Sequence, residues 1–189
     1  MKKHVIILSF LLVSVTFIQA QKRVVIAPEQ SSISIEGTST LHDWEIVVEK
    51  FSGYADIEIS DGEFQIQDGK VISKVASFES GKNSMNKEVY KAMDIENYPE
   101  VTYTYKQTKE IVRENETFSV IAIGDLTIAG TTQTITSDLT GEYDEGTLRL
   151  EGTKSFKMSS FGVEPPSVMF GTIKSGDKIT IKYSFIFNQ

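Results

Sequence analysis

The last stretch of the chain constrains the fold more than any other. Ile179, Ile181, Tyr183, Phe185 and Phe187 alternate with Lys178, Thr180, Lys182 and Ser184, and Ile186 is the one exception. Side chains of a β-strand point to opposite faces with a period of two, so this run has one buried and one wet face. The same alternation occurs at 32–36 (Ile33, Ile35), 101–106 (Val101, Tyr103, Tyr105) and 147–151 (Leu148, Leu150). A lone strand or hairpin cannot bury such a face in water, so several must assemble. Many short antiparallel strands at this spacing predict an all-β sandwich or barrel.

Turn signals separate the runs. Asp61-Gly62 and Asp68-Gly69 are both two-residue hairpin sequences, because a type I′ turn needs positive φ at its two central positions. They predict a short strand between them, Glu63 to Gln67. Ala129-Gly130, Glu145-Gly146 and Ser175-Gly176-Asp177 punctuate later runs. Pro28, Pro99, Pro165 and Pro166 fall where a strand is absent or beginning. From Ser84 to Met93 the period changes: Met85, Val89, Ala92 and Met93 share one helical face. Asn83 or Ser84 is the expected N-cap. A helix this short is marginal by itself, so it must lie on the barrel wall or across an open end. From Phe118 to Leu126 apolar residues occupy both parities, and the buried face is undecided.

Residues 1–20 have the pattern of a secretory signal peptide: Lys2, Lys3 and His4, then an apolar run from Val5 to Phe17, then a small residue at Ala20. The expectation is cleavage, a mature domain of residues 21–189, and a periplasmic or secreted location; a retained N-terminal anchor is the alternative. Cleavage leaves 17 Lys and Arg against 26 Asp and Glu, a formal charge of −9. Such a charge repels phosphate backbones, so nucleic acid is not an expected partner. The absence of cysteine excludes a disulfide framework, a thiolate zinc site and a cysteine nucleophile. His42 is then the one histidine of the mature chain, which excludes a histidine-rich metal site. Asp56, Glu58, Asp61 and Glu63 cluster without the spacing of an EF-hand. No cofactor or metal is expected. Asn115-Glu116-Thr117 fits a glycosylation sequon, a triplet frequent by chance.

Three segments carry a family resemblance. Asn97-Tyr98-Pro99-Glu100-Val101-Thr102-Tyr103 resembles the "YP-x-x-T-F" element of the YceI-like proteins. Gly124-Asp125-Leu126-Thr127-Ile128-Ala129-Gly130-Thr131-Thr132 resembles their "G-x-L-T-x-x-G-x-T" hairpin. Lys157-Met158-Ser159-Ser160-Phe161-Gly162 resembles their "R-x-D-F-G" segment. The resemblance covers about Val24 to Phe187. It implies an extended lipocalin-like antiparallel barrel of about eight strands with a short helix near 84–93. It implies a binding protein, not an enzyme, that holds a polyisoprenoid, quinone-like or acyl lipid. There are departures. Asn86-Lys87-Glu88-Val89-Tyr90 stands where the family often has "R-D-x-H-L", Ser160 replaces the acid of "D-F-G", and Leu41-His42-Asp43-Trp44 marks a subgroup variant.

The residues supply candidates for that function. His42 and Trp44 either meet a headgroup at the barrel mouth, or Trp44 plugs the core while His42 bonds to backbone. Tyr90, Met93, Met158, Phe161, Met169 and Phe170 are candidates for the wall or a lid, methionine being adaptable to varied apolar shapes. The 17 aromatics and four methionines of the mature chain either line a cavity or fill it. A filled barrel would make the chain an exported protein-interaction module. A hydrolase or isomerase built on His42 and a nearby acid is a third reading, weakened because adjacent strand residues face opposite ways.

Overall fold

The structure, a computed structural model, describes residues 21–60, 63–114, 117–144 and 146–188. The predicted leader, the predicted turn at Asp61-Gly62, Glu145, Gln189 and most of the Asn115 sequon lie outside the described residues. The described chain forms β1 (Gln21–Ile26), β2 (Ser32–Ser39), β3 (Trp44–Val48), β4 (Phe51–Ser60), β5 (Glu63–Lys74), β6 (Phe78–Glu79), α1 (Asn83–Ala92), β7 (Glu100–Glu114), β8 (Thr117–Ile128), β9 (Thr131–Asp144), β10 (Thr147–Lys157), β11 (Ser167–Val168) and β12 (Ile173–Asn188). Antiparallel pairing runs β1-β4-β5-β7-β8-β9-β10-β12, and β12 pairs back to β1 through Val25↔Asn188. This closes an eight-stranded barrel. β12 also carries β2 along the rest of its free edge, and β3 and β6 continue outward from β2. The expected all-β barrel with one short helix is the fold observed.

The barrel has two unlike halves. At the end that holds Gln21 and Asn188, Val24, Ile57 and Leu148 are fully buried, and Phe118, Val120 and Phe187 pack among them. That half is a solid core. The β8 strand shows how it is made: Phe118, Val120, Ala122, Leu126 and Ile128 face inward, while Ser119, Ile121, Ile123 and Asp125 face outward. Closure decides the parity that composition left open. At the other end α1 lies across the barrel, with the 39–44 turn, the β8–β9 hairpin and the 158–173 segment around it.

Local signals held where nothing opposed them. Ala129 and Gly130 have φ of 45° and 75° and make the tight β8–β9 hairpin. Asp68-Gly69 is not a turn. β5 runs straight through it, with Asp68 opposite Asp56 and Gly69 opposite Ala55, and the extra residue is absorbed as a bulge at Gln67. Pairing to β4 at both residues, continued into the β7 ladder from Lys70 onward, outweighs the local preference, and Tyr54 Oη donates to Asp68 at 2.8 Å. Ser175-Gly176-Asp177 likewise lies inside β12 as an irregularity between Ser175 and Ile179. The helix starts one residue before the expected Ser84, so its N-cap is Lys82, with no side-chain cap. Asn86 is buried instead: its Oδ1 accepts from Ser80 N at 2.9 Å and Ser80 Oγ at 2.6 Å, and its Nδ2 donates to Glu79 at 2.8 Å. That network fixes α1 to β6.

Candidate functional site

Beneath α1 lies a cavity of about 410 Å³. Met85, Val89, Ala92 and Met93 roof it from the helix, and Trp44, Ile46, Phe156, Met158, Phe161 and Ile179 form its walls. Deeper in the barrel is a smaller chamber of about 160 Å³. Ile35, Phe78, Val101, Phe156 and Ile181 belong to the walls of both, so the two spaces meet at this waist. The surfaces are nearly all carbon. The larger space falls within the 300–1,000 Å³ typical of small-molecule sites.

The deep chamber stays open because its aromatic rings lie flat on the wall. Tyr103 rests across Gly124 on the neighbouring strand, where a Cβ would sit 2.5 Å from its hydroxyl oxygen. Tyr183 rests across Gly152 in the same way, also 2.5 Å from its hydroxyl. A side chain at either glycine would push the ring into the lumen. Burial raises the pKa of both tyrosines above the ordinary phenol value, with Ser137 partly opposing the shift at Tyr183. Both therefore remain neutral donors at physiological pH. Trp44 repeats the pattern near the mouth, lying over Gly37 with its Nε1 donating to Thr38 O at 2.9 Å.

The predicted site residues divide three ways. Trp44, Met93, Met158 and Phe161 line the larger cavity. Phe161 is 1% exposed and its ring meets Phe156 at 4.9 Å between centroids. His42 stands at the exposed rim of the same cavity, its Nδ1 at 2.7 Å from Asp43 O. The 39–43 turn that carries it is knit by Ser39 Oγ, which donates to His42 O and accepts from the Leu41 and His42 amides. Tyr90 sits beside the cavity: its hydroxyl donates to Ala76 O at 3.1 Å and Phe78 O at 3.3 Å, tying α1 down. Met169 and Phe170 point away from the cavity and are exposed, on a left-handed turn with φ of 52° and 56°, while Val168 contributes to the lining.

The segment between β10 and β11 is a braced connector. Asp177 accepts from Ser159 N at 2.9 Å and Ser159 Oγ at 2.6 Å, bonds that hold its carboxyl below the ordinary range. Gly162 then turns the chain with φ of 72°. Sequence reasoning missed Ile35, Phe78, Val101, Tyr103, Phe156 and Tyr183 as cavity walls. Alternation had marked several of them as inward, but nothing local distinguishes an inward side chain beside a void from one inside a packed core. Among the described residues no group of three or more His, Asp or Glu is placed to hold a metal ion. Asp56, one of the clustered acids, is committed to Arg23, with Nε–Oδ1 and Nη2–Oδ2 both 2.6 Å.

Comparison with known proteins places this architecture. Burkholderia cenocepacia BcnA superposes with a TM-score of 0.67 at 21% identity, covering 85% of this chain and 98% of its own. A polyisoprenoid binding domain from Saccharophagus degradans implicated in plant cell wall breakdown gives 0.67 at 12% identity, over 89% and 99%. The Campylobacter jejuni YCEI protein gives 0.59 at 16% identity, over 100% and 99%. A search of curated proteins returned no match. At these identities the likeness is one of fold. The YceI-like domain model matches residues 25–187, from the first closing strand of the barrel to the last, and the chain belongs to the YceI-like family.

Proposed function

We propose that this protein is a carrier or sequestering protein for a long-chain apolar lipid, of polyisoprenoid, quinone-like or acyl type. The observation that carries the reading is the carbon-lined cavity beneath α1 and its continuation into the barrel. Burying each CH₂ is worth about 0.8 kcal/mol, so ten buried groups give roughly 8 kcal/mol before the costs of association. A slim chain therefore binds there without a charged anchor. The likeness to a polyisoprenoid binding domain supports the same reading. A fully packed barrel would have favoured a protein-interaction module; the hollow half under α1 favours a ligand. The mechanism is burial and release rather than chemistry. Export from the cytoplasm is part of the proposal and rests on the leader pattern of residues 1–20.

Native mass spectrometry of the mature protein purified from its own host, followed by solvent extraction, tests this directly. A stoichiometric long-chain lipid is expected. An empty protein that also takes up no added prenyl or acyl lipid would refute the carrier reading. Ile35→Trp, which fills the waist shared by the two cavities, should abolish loading while the far-ultraviolet spectrum is kept.

A further inference from the structure

The barrel wall is split on one side. β9 and β10 pair from Asp144↔Thr147 down to Leu139↔Gly152, and there the ladder ends. Both strands continue, β9 back to Thr131 and β10 on to Lys157, each still paired on its other edge, to β8 and β12. Beyond Gly152, then, two strands run on with a gap between their facing backbones. The lower part of the gap is wedged by the turn at 158–161, where Gln133 Nε2 donates to Ser160 O at 3.2 Å. The upper part is spanned by one side chain: Lys154 Nζ donates to Thr136 O.

Lys154 is out of place by the logic of the barrel. Along β10 the inward parity runs Leu148, Leu150, Gly152, Lys154, Phe156, and Lys154 contributes to the wall of the deep chamber. It makes no ion pair among the described residues. Its aliphatic stem lies on the chamber wall while its ammonium stands exposed in the gap, open to a negative partner. The surroundings match such a partner. Ser137, buried on β9, and Tyr183, lying over Gly152, bring hydroxyls to the same stretch of wall. The Tyr103 hydroxyl, over Gly124 on the other side of β9, has no hydrogen-bond partner among the described residues.

We propose that the split between β9 and β10 is a headgroup site: the lipid lies with an anionic oxygen group, a phosphate or carboxylate, against Lys154, with the adjoining hydroxyls of Ser137 and Tyr183 beside it on the inner wall. This rests on the carrier reading and adds to it the charge and position of the polar end. The acyl or prenyl chain occupies the chamber and the cavity beneath α1, and the headgroup reaches the surface through the side of the barrel rather than beneath the helix.

The test compares geranylgeranyl monophosphate with geranylgeraniol, equal in chain and different in headgroup, by displacement of a fluorescent lipid at low salt. The wild-type protein should prefer the phosphate by about ten-fold or more, the usual weight of a hydrogen bond to a charged group. Lys154→Met should erase that preference while leaving geranylgeraniol affinity within about two-fold, and Lys154→Arg should keep it. If Lys154 serves only to cap Thr136 O, Lys154→Met lowers thermal stability but leaves the headgroup preference intact, and the proposal is overturned. Equal binding of both lipids by the wild type also overturns it, with the carrier reading intact. Binding of neither lipid overturns both.

Discussion

Gly124→Ala tests whether the lumen is kept open by rings lying on glycine. An ideal Cβ at 124 would stand 2.5 Å from Tyr103 Oη and 2.6 Å from its Cε2. Carbon atoms in good contact are about 3.5–4.0 Å apart, so the ring must withdraw by roughly 1 Å. Backbone blocks it on the wall side, so it moves into the deep chamber, whose volume is only about 160 Å³. Overpacking of this kind costs about 1–3 kcal/mol, which in a domain of this size lowers Tm by roughly 2–12 °C. The assay is a double-mutant cycle by denaturant unfolding, with Tyr103→Leu as the second change. In the Leu background the added methyl meets no ring, so Gly124→Ala should cost less there by at least about 1 kcal/mol. Lipid capacity should fall in the single Gly124→Ala variant and recover in the double. Strict additivity of the two changes would refute the argument, because it would mean that the ring and the glycine do not depend on each other.

Three further outcomes are expected. Phe161→Ala removes a ring that is 1% exposed and packed on Phe156, and should lower stability by about 3–5 kcal/mol in equilibrium unfolding. Arg23→Met should alter the pH dependence of stability in a defined direction. The Arg23 guanidinium holds the Asp56 carboxyl below its ordinary value of 3.8, so its stabilising effect is complete above that pH and is lost as pH falls through the lower folded value. The wild type should therefore exceed Arg23→Met in stability at pH 6, with the difference shrinking below about pH 3.8; a constant difference down to pH 2 would contradict it. Asp177→Asn loosens the bonds to Ser159 that brace the 158–166 connector, and should speed exchange of bound lipid in a stopped-flow transfer assay with little change in Tm.

The two ends of the barrel imply a division of labour. The packed half, around Ile57, Leu148 and Val24, supplies the stability that lets the other half remain hollow. Cavities lined by carbon are costly in a protein of modest size, since surrounding atoms lose dispersion contacts. That loss is concentrated under α1, where the Asn86 network and the Tyr90 hydroxyl hold the helix in place without filling the space below it.

Much of the fold was legible in the sequence because period-two burial is written residue by residue. The alternation in 178–187 and 101–106, the Ala129-Gly130 hairpin and the helical spacing from Met85 to Met93 all act within a few residues, so a linear reading finds them. Trp44, Met93, Met158 and Phe161 could be picked as apolar candidates for the same reason, and they line the cavity under α1. Other features depend on which strands become neighbours. Asp68-Gly69 reads as a turn until β4 pairs along it, with Asp68 opposite Asp56 and Gly69 opposite Ala55. Phe118 to Leu126 has no preferred face until closure turns Phe118 and Val120 inward. Tyr103 and Tyr183 become walls rather than fillers because glycines on the adjoining strands, 21 residues later and 31 residues earlier in the chain, accept their rings. Lys154 reads as a solvated surface charge until the β9–β10 ladder ends at Gly152 and leaves it on the inward parity. The strand pattern by itself determined that strands would form and assemble; the tertiary structure decided that they close and where the barrel is hollow, because closure and an empty volume are relations between distant residues that no local pattern encodes.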